Sequence, residues 1–294
     1  MPWKLYIDSR KRVAGASSNS DTDFVVQLPY PITVSGKAFL DVVLCHNSFY
    51  VIRAGETDRL YVQEAQALTK RVVTIAPGQY NAHTLATACQ LALNTGKGIP
   101  GTYICQYIPT LHRMRIGITN STIADSQMRL WPDAAVAADM ASWTSVTGFA
   151  GAVATHLKSA NRALGSLGAN VLLCDFSSDM TLPHGVDVQA YSQLFIRSNL
   201  GGGSSESLGV NGESDIVRRI VVGSTPANNL IYDVHSQAHD HVTINGTREF
   251  NNFWFQIVDV DGKIVDTHGL PVSFSIIFED VSQENEYSFL LNGH

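Results

Sequence analysis

The sequence predicts a mainly β protein: a single jelly-roll β-sandwich carrying a small inserted α+β unit. Three observations lead there. Short apolar runs are separated along most of the chain by clusters of Gly, Pro, Asn, Asp and Ser, the punctuation of strands and turns. Near the C-terminal end, Val272, Phe274, Ile276 and Phe278 alternate with Ser273, Ser275, Ile277 and Glu279, the period-two pattern of a half-buried strand. Between about Asp58 and Gly168 the texture changes, and an amphipathic helical period appears among shorter strands.

In chain order, strands are predicted at Trp3–Asp8, Phe24–Leu28, Ala38–Cys45, Asn170–Asp175, Ala190–Arg197, Ile216–Val222, Leu230–Val234, Phe250–Val258 and Val272–Glu279. Asp261-Gly262 supplies a tight turn between the last two. About eight sheet strands outside the inserted stretch suit two packed antiparallel sheets, so the jelly roll is assigned to residues 1–56 and 169–294. A double jelly roll is the rival arrangement, although the helical stretch fits it poorly.

The insertion, residues 57–168, opens with strands at Arg59–Glu64 and Arg71–Ile75. Pro77-Gly78 breaks the chain, and Asn81 is placed to cap a helix. Ala82, Leu85, Ala86, Cys89, Ala92 and Leu93 follow on one helical face, and Asn94-Thr95-Gly96 ends the run. Strands resume at Tyr103–Ile108 and Met114–Ile118. An Ala-rich helix is expected near Asp133, and a short one before Gly165.

Composition narrows the function. The chain has 294 residues, enough for a sizeable core, yet only 16% are charged against roughly 25% in typical soluble domains. So thinly charged a surface suggests that neighbours cover part of it. The formal net charge of -6 gives no field favouring nucleic acid or an anionic membrane. Cys45, Cys89, Cys105 and Cys174 are far apart in sequence, and no apolar run reaches the length of a membrane span, so reduced, buried thiols are expected.

The chemical motifs are weak. Gly96-Lys97-Gly98-Ile99-Pro100-Gly101 spells G-x-G-x-x-G but follows a helix instead of opening one, so a helix exit explains it better than a phosphate cradle. Asp259–Lys263 has the look of a calcium loop with the Gly misplaced, and reads as a hairpin turn. His235, His239 and His241 are the candidate metal ligands, since His239 and His241 would share one face of a strand. The acidic fourth ligand of a cupin-like centre is wrongly spaced, because Glu249 lies beyond a turn. The expectation is therefore no metal, no cofactor and no catalytic residues. A metal-dependent cupin-like enzyme and a glycan- or receptor-binding jelly-roll spike module stand as the alternatives. Arg10, Lys11 and Arg12 form one basic cluster that could touch packaged DNA, or equally be a solvated turn. Trp3, Trp131 and Trp143 are candidate interface anchors, with core packing as the plainer reading for each.

Several segments resemble the penton, or minor capsid, proteins of Polinton/Maverick-type elements, adintoviruses and virophages. LYIDSRKRVAGASSNSDTDFVVQLPYPI is similar to their N-terminal signature, and AFLDVVLCHNSFYVI to the segment that follows. IAPGQYNAHTLATACQLALN resembles their PG-x-Y turn into an amphipathic helix. SDIVRRIVV and FQIVDVDGKIVDTHGLPVSFSIIFE resemble their closing strands. The resemblance implies a structural subunit of a virion, assembled in host cytoplasm or nucleus. It further implies homopentamers at the icosahedral vertices and a major capsid protein of double jelly-roll fold as neighbour. It implies no catalytic residue.

Overall fold

The computed structural model describes residues 3–14, 20–64, 69–119, 127–149, 159–175, 178–201, 215–223, 230–233 and 242–279. In chain order the strands begin with β1 (Trp3–Asp8), β2 (Asp23–His46), β3 (Arg59–Glu64) and β4 (Thr69–Thr74). Helix α1 (Ala82–Asn94) precedes β5 (Thr102–Ile108), β6 (Arg113–Thr119) and β7 (Gln127–Trp131). Three short helices, α2 (Asp133–Ala138), α3 (Met140–Trp143) and α4 (Asn161–Leu164), lead to β8 (Leu172–Asp175) and β9 (Met180–Thr181). The remaining strands are β10 (Gln193–Ser198), β11 (Ile216–Val221), β12 (Leu230–Asp233), β13 (Val242–Val258) and β14 (Val272–Glu279).

The chain divides into two compact units, one of Met1–Phe49 with Tyr191–His294 and one of Tyr50–Ala190. The first is the jelly roll. Its antiparallel strands run in the order β1-β14-β2-β13-β10-β11, with β12 also paired to β2. β14 buries Val272, Phe274, Ile276 and Phe278, as its alternation predicts. Facing them, β13 turns Phe253, Phe255 and Ile257 inward, and Phe255 meets Phe274 edge-on at 4.8 Å between ring centroids.

The two strands expected at Phe24–Leu28 and Ala38–Cys45 are one strand, β2. Pro29 and Pro31 lie within it. They fall where the pairing of β2 with β13 jumps, between Gln27↔Asn252 and Ile32↔Phe250, so their missing N–H groups interrupt no ladder. A second shift lies where Gly36 and Gly246, at φ 84° and 72°, let both strands bend together.

The second unit pairs β4-β3-β7-β8 in one sheet and β5-β6-β9 in another. Helix α1 forms as the sequence predicts. The Asn81 side chain accepts from the Thr84 N–H, and the Thr84 hydroxyl accepts from the Asn81 N–H, closing a capping box. Leu85, Ala86, Cys89 and Leu93 are its buried face, packed with Leu60, Val62, Tyr103, Ile116 and Leu130. On the other side, Tyr61, Val136 and Trp143 make a smaller core of their own.

The expected end of the insertion at residue 168 is displaced. Asn170–Asp175 was assigned to the jelly roll, but β8 pairs antiparallel with β7, and the unit continues to Ala190. β7 itself was missed, because only five residues of strand precede Pro132.

Candidate assembly surface

The IDSR signature is a structural knot. Ile7 is buried, and Asp8 caps a single 3-10 turn at Ser9–Lys11 by accepting from the Arg10 N–H. The buried Ser9 hydroxyl donates to Asp21 Oδ1 at 2.8 Å and accepts from the Val272 N–H at 3.0 Å. One small side chain thus ties β1, the chain entering β2, and the start of β14. An apolar residue there would leave the Val272 N–H unpaired and take one donor from Asp21, which Arg12 also reaches.

The same knot consumes most of the basic cluster. The Arg10 guanidinium holds Asp8, with Nη2–Oδ2 at 2.5 Å, and its hydrogen bonds keep that carboxyl below the ordinary aspartate range. Arg12 reaches Asp21 Oδ1 at 2.5 Å. Lys11 is the remaining cation. One such charge adds little phosphate affinity at physiological salt.

Above the knot, the outer face of the sheet carries a groove of about 380 Å³. β1 contributes Lys4, Tyr6 and Asp8, β14 forms the floor with Ser273 and Ser275, and Val42 and Leu44 of β2 make the far wall. The register explains it: Tyr6 lies across from Ser275 and Asp8 across from Ser273, so small side chains sit between larger ones. Lys4 bridges the groove to Asp41 at 2.6 Å, and that hydrogen bond raises the lysine pKa. The Ser275 hydroxyl is buried, with no hydrogen-bond partner among the described residues.

Both ends of the sheet present apolar side chains to solvent. Tyr6 on β1 is 77% exposed and Val221 on β11 is 61% exposed. Among the described residues β1 pairs only with β14, and β11 only with β10. Open edges with exposed apolar residues are templates for further pairing unless something covers them.

The other predicted sites fare differently. His235, His239 and His241 lie outside the described residues. Among the described residues no group of three His, Cys, Asp or Glu is arranged to hold a metal ion, and no helix is long and apolar enough to cross a membrane. The G-x-G-x-x-G turn is occupied by its own chain, since the Gly98 N–H donates to Glu64 Oε2 at 2.7 Å. Asp259 Oδ1 accepts from the N–H groups of Asp261 and Lys263, which makes that loop a hydrogen-bonded turn.

Of the three tryptophans considered as anchors, Trp3 is 37% exposed and stacks on Phe278 at 4.3 Å. Trp143 is fully buried and Trp131 half-buried, so both are core residues and not anchors. Lys70 sits over both rings, 4.6 Å and 4.9 Å from their centroids, and is held by Asp139 and Ser142. Tyr6 and Val221 were missed as surface candidates, because exposure within a strand depends on which sheet edge the strand occupies.

These features define a jelly-roll protein with a groove beside one open sheet edge and exposed apolar side chains at both edges. No family model matches the chain, and no curated protein matches it. Among solved structures, the crystal structure of the mavirus penton protein matches 96% of this chain and 100% of that chain, with a TM-score of 0.51 and 12% sequence identity. The chain therefore has the fold of a penton protein.

Proposed function

We propose that this protein is a structural capsid subunit, a penton whose five copies close a ring at an icosahedral vertex. The observation that carries the reading is the extent of the fold match, which takes in nearly the whole of this chain and the whole of the mavirus penton protein. The sequence signatures at both ends of the chain support it separately. The role is non-enzymatic, the place of action is the virion, and a double jelly-roll major capsid protein is the neighbour.

A ring needs a heterologous contact, in which one flank of a subunit meets a different flank of the next. An open sheet offers two unlike flanks. We assign β1 with its groove to one side of the copy-to-copy contact and β11 to the other. Tyr6 and Val221 then lose their exposure on assembly. The unpartnered Ser275 hydroxyl gains a polar partner from the residue that fills the groove.

Light scattering of the purified protein, with negative-stain images of the same sample, tests this. A mass of five chains and five-fold rings are expected. Tyr6→Asp and Val221→Asp should each abolish the rings while leaving far-ultraviolet circular dichroism unchanged, because both side chains are exposed in the single chain. A trimer, or a monomer that stays monomeric with the major capsid protein added, overturns the penton reading. Rings that survive both substitutions overturn the assignment of the edges alone.

A further inference from the structure

We propose that Cys89 and Cys105 are a disulfide-forming pair, a modification site that covalently staples α1 to β5. Two observations carry it. The Cys105 thiol points at the Cys89 sulfur at 3.7 Å, deep in the core of the inserted unit. The two elements are also held at a fixed height by side chains flanking the pair. The Cys105 N–H donates to Gln90 Oε1 at 3.0 Å, and Asn94 both donates to the Tyr103 carbonyl at 2.9 Å and accepts from the Tyr103 N–H at 3.0 Å. A disulfide needs sulfurs about 2.05 Å apart, so the two thiols must close the remaining gap for the bond to form.

Cys89 is the sulfur to which the Cys105 thiol is hydrogen-bonded. Cys174 donates to the Ile116 carbonyl at 3.4 Å, and Cys45 to the His46 carbonyl at 3.7 Å, so neither faces another sulfur across a hydrogen bond. The co-reactant is a low-molecular-weight disulfide of the glutathione class. One cysteine thiolate attacks it, forms a mixed disulfide and releases one thiolate. The second cysteine thiolate then attacks the mixed disulfide and releases the other. Two protein S–H bonds and one reagent S–S bond are lost, one protein S–S bond and two reagent S–H bonds form, and the protein is oxidised by two electrons.

Burial sets the timing. All four thiols are buried, and the hydrogen bond to Cys89 together with burial raises the Cys105 pKa well above the ordinary cysteine value. Thiolate is scarce in the closed state, so oxidation proceeds through openings of α1 or during folding. A subunit made in a reducing cell would fold with free thiols and be stapled after leaving it.

The test is thiol counting and peptide mapping of the full-length protein, both native and refolded, in oxidised glutathione. The expected product has two reactive thiols after denaturation where the reduced protein has four. It loses about 2 Da, and non-reducing digestion links the peptides of Cys89 and Cys105. Its unfolding midpoint rises by roughly 5 °C, since the closed loop restricts the unfolded chain. Cys174→Ser keeps the two-thiol loss and Cys105→Ser abolishes it. A folded product that retains all four thiols under both conditions overturns the proposal. So does a bond formed through Cys45 or Cys174.

Discussion

The jelly roll and the inserted unit are held together in different ways. In the jelly roll, the partners come from opposite ends of the chain: Trp3 pairs with Phe278, and Asp23 with Gln256. Its specificity lies in backbone register along two long bent strands and in phenylalanines meeting between them. In the inserted unit, β3 and β4 form one hairpin-like pair and β5 and β6 another, and α1 lies beside the strands it packs on. There, polar side chains reach the backbone of neighbouring elements. Glu64 is the extreme case, being almost fully buried while it accepts from Tyr103, Arg71 and Gly98. Arg71 in turn donates to the carbonyls of Leu93 and Thr95 at the end of α1. Local sequence can build the second kind of unit early, while the first requires loops to close over the whole chain.

Excision of the inserted unit should have the largest effect. Phe49 and Tyr191, where the chain leaves and rejoins the jelly roll, touch edge-on with ring centroids 5.2 Å apart. Replacing residues 50–190 by a short Gly/Ser linker should therefore leave a jelly roll that unfolds cooperatively, and the excised piece should fold alone. Circular dichroism and urea melts of both proteins check this, and aggregation of either would show that the units depend on each other. Next in size, Glu64→Ala leaves Arg71, Tyr103 and the Gly98 N–H without their shared acceptor. A loss of about 3–5 kcal/mol is expected, confined by hydrogen-exchange mapping to the inserted unit.

Ser9→Ala probes the other unit. Removing the hydroxyl leaves the Val272 N–H unpaired and takes one donor from Asp21, which keeps Arg12, at a cost of about 1–3 kcal/mol, and exchange should rise first along β1 and β14. The smallest effect concerns acid. The Asp139 carboxyl is held below the ordinary aspartate range, first by its hydrogen bond from Lys70 and then by Ser142. A depressed native pKa contributes stability that is present above the unfolded-state value and is lost as pH falls through the native one. Emission from Trp131 and Trp143, which flank Lys70, should thus change only below the ordinary aspartate range. Asp139→Asn should remove that acid step.

What was legible in the sequence follows the same division. Helix α1, with its cap, buried face and stop, could be read from the sequence, because Asn81 and Gly96 act on their own neighbours. The alternation of β14 was equally plain. The continuity of β2 was hidden, since whether Pro29 and Pro31 break a strand depends on a bulge in a partner over 200 residues away. The true partner of β8 was hidden for a similar reason, β7 being too short to announce itself. At the candidate surface, the basic run was visible but its neutralisation by Asp8 and Asp21 was not, because ion pairing is decided in space. The edge positions of β1 and β11, which make Tyr6 and Val221 important, belong to topology alone.

The pairing of β2 with β13 has a consequence for biosynthesis. At ribosomal rates of about 5–20 residues per second, roughly 10–40 s separate the emergence of His46 from that of Val242. During that interval Phe24 and Leu40, both buried in the finished sheet, lack the strands they pair with. The inserted unit emerges within this gap and can complete itself first. Nascent chains therefore pass through a stage with a folded middle and a sticky leading segment, when chaperone capture matters most and crowded polysomes are most prone to mispairing.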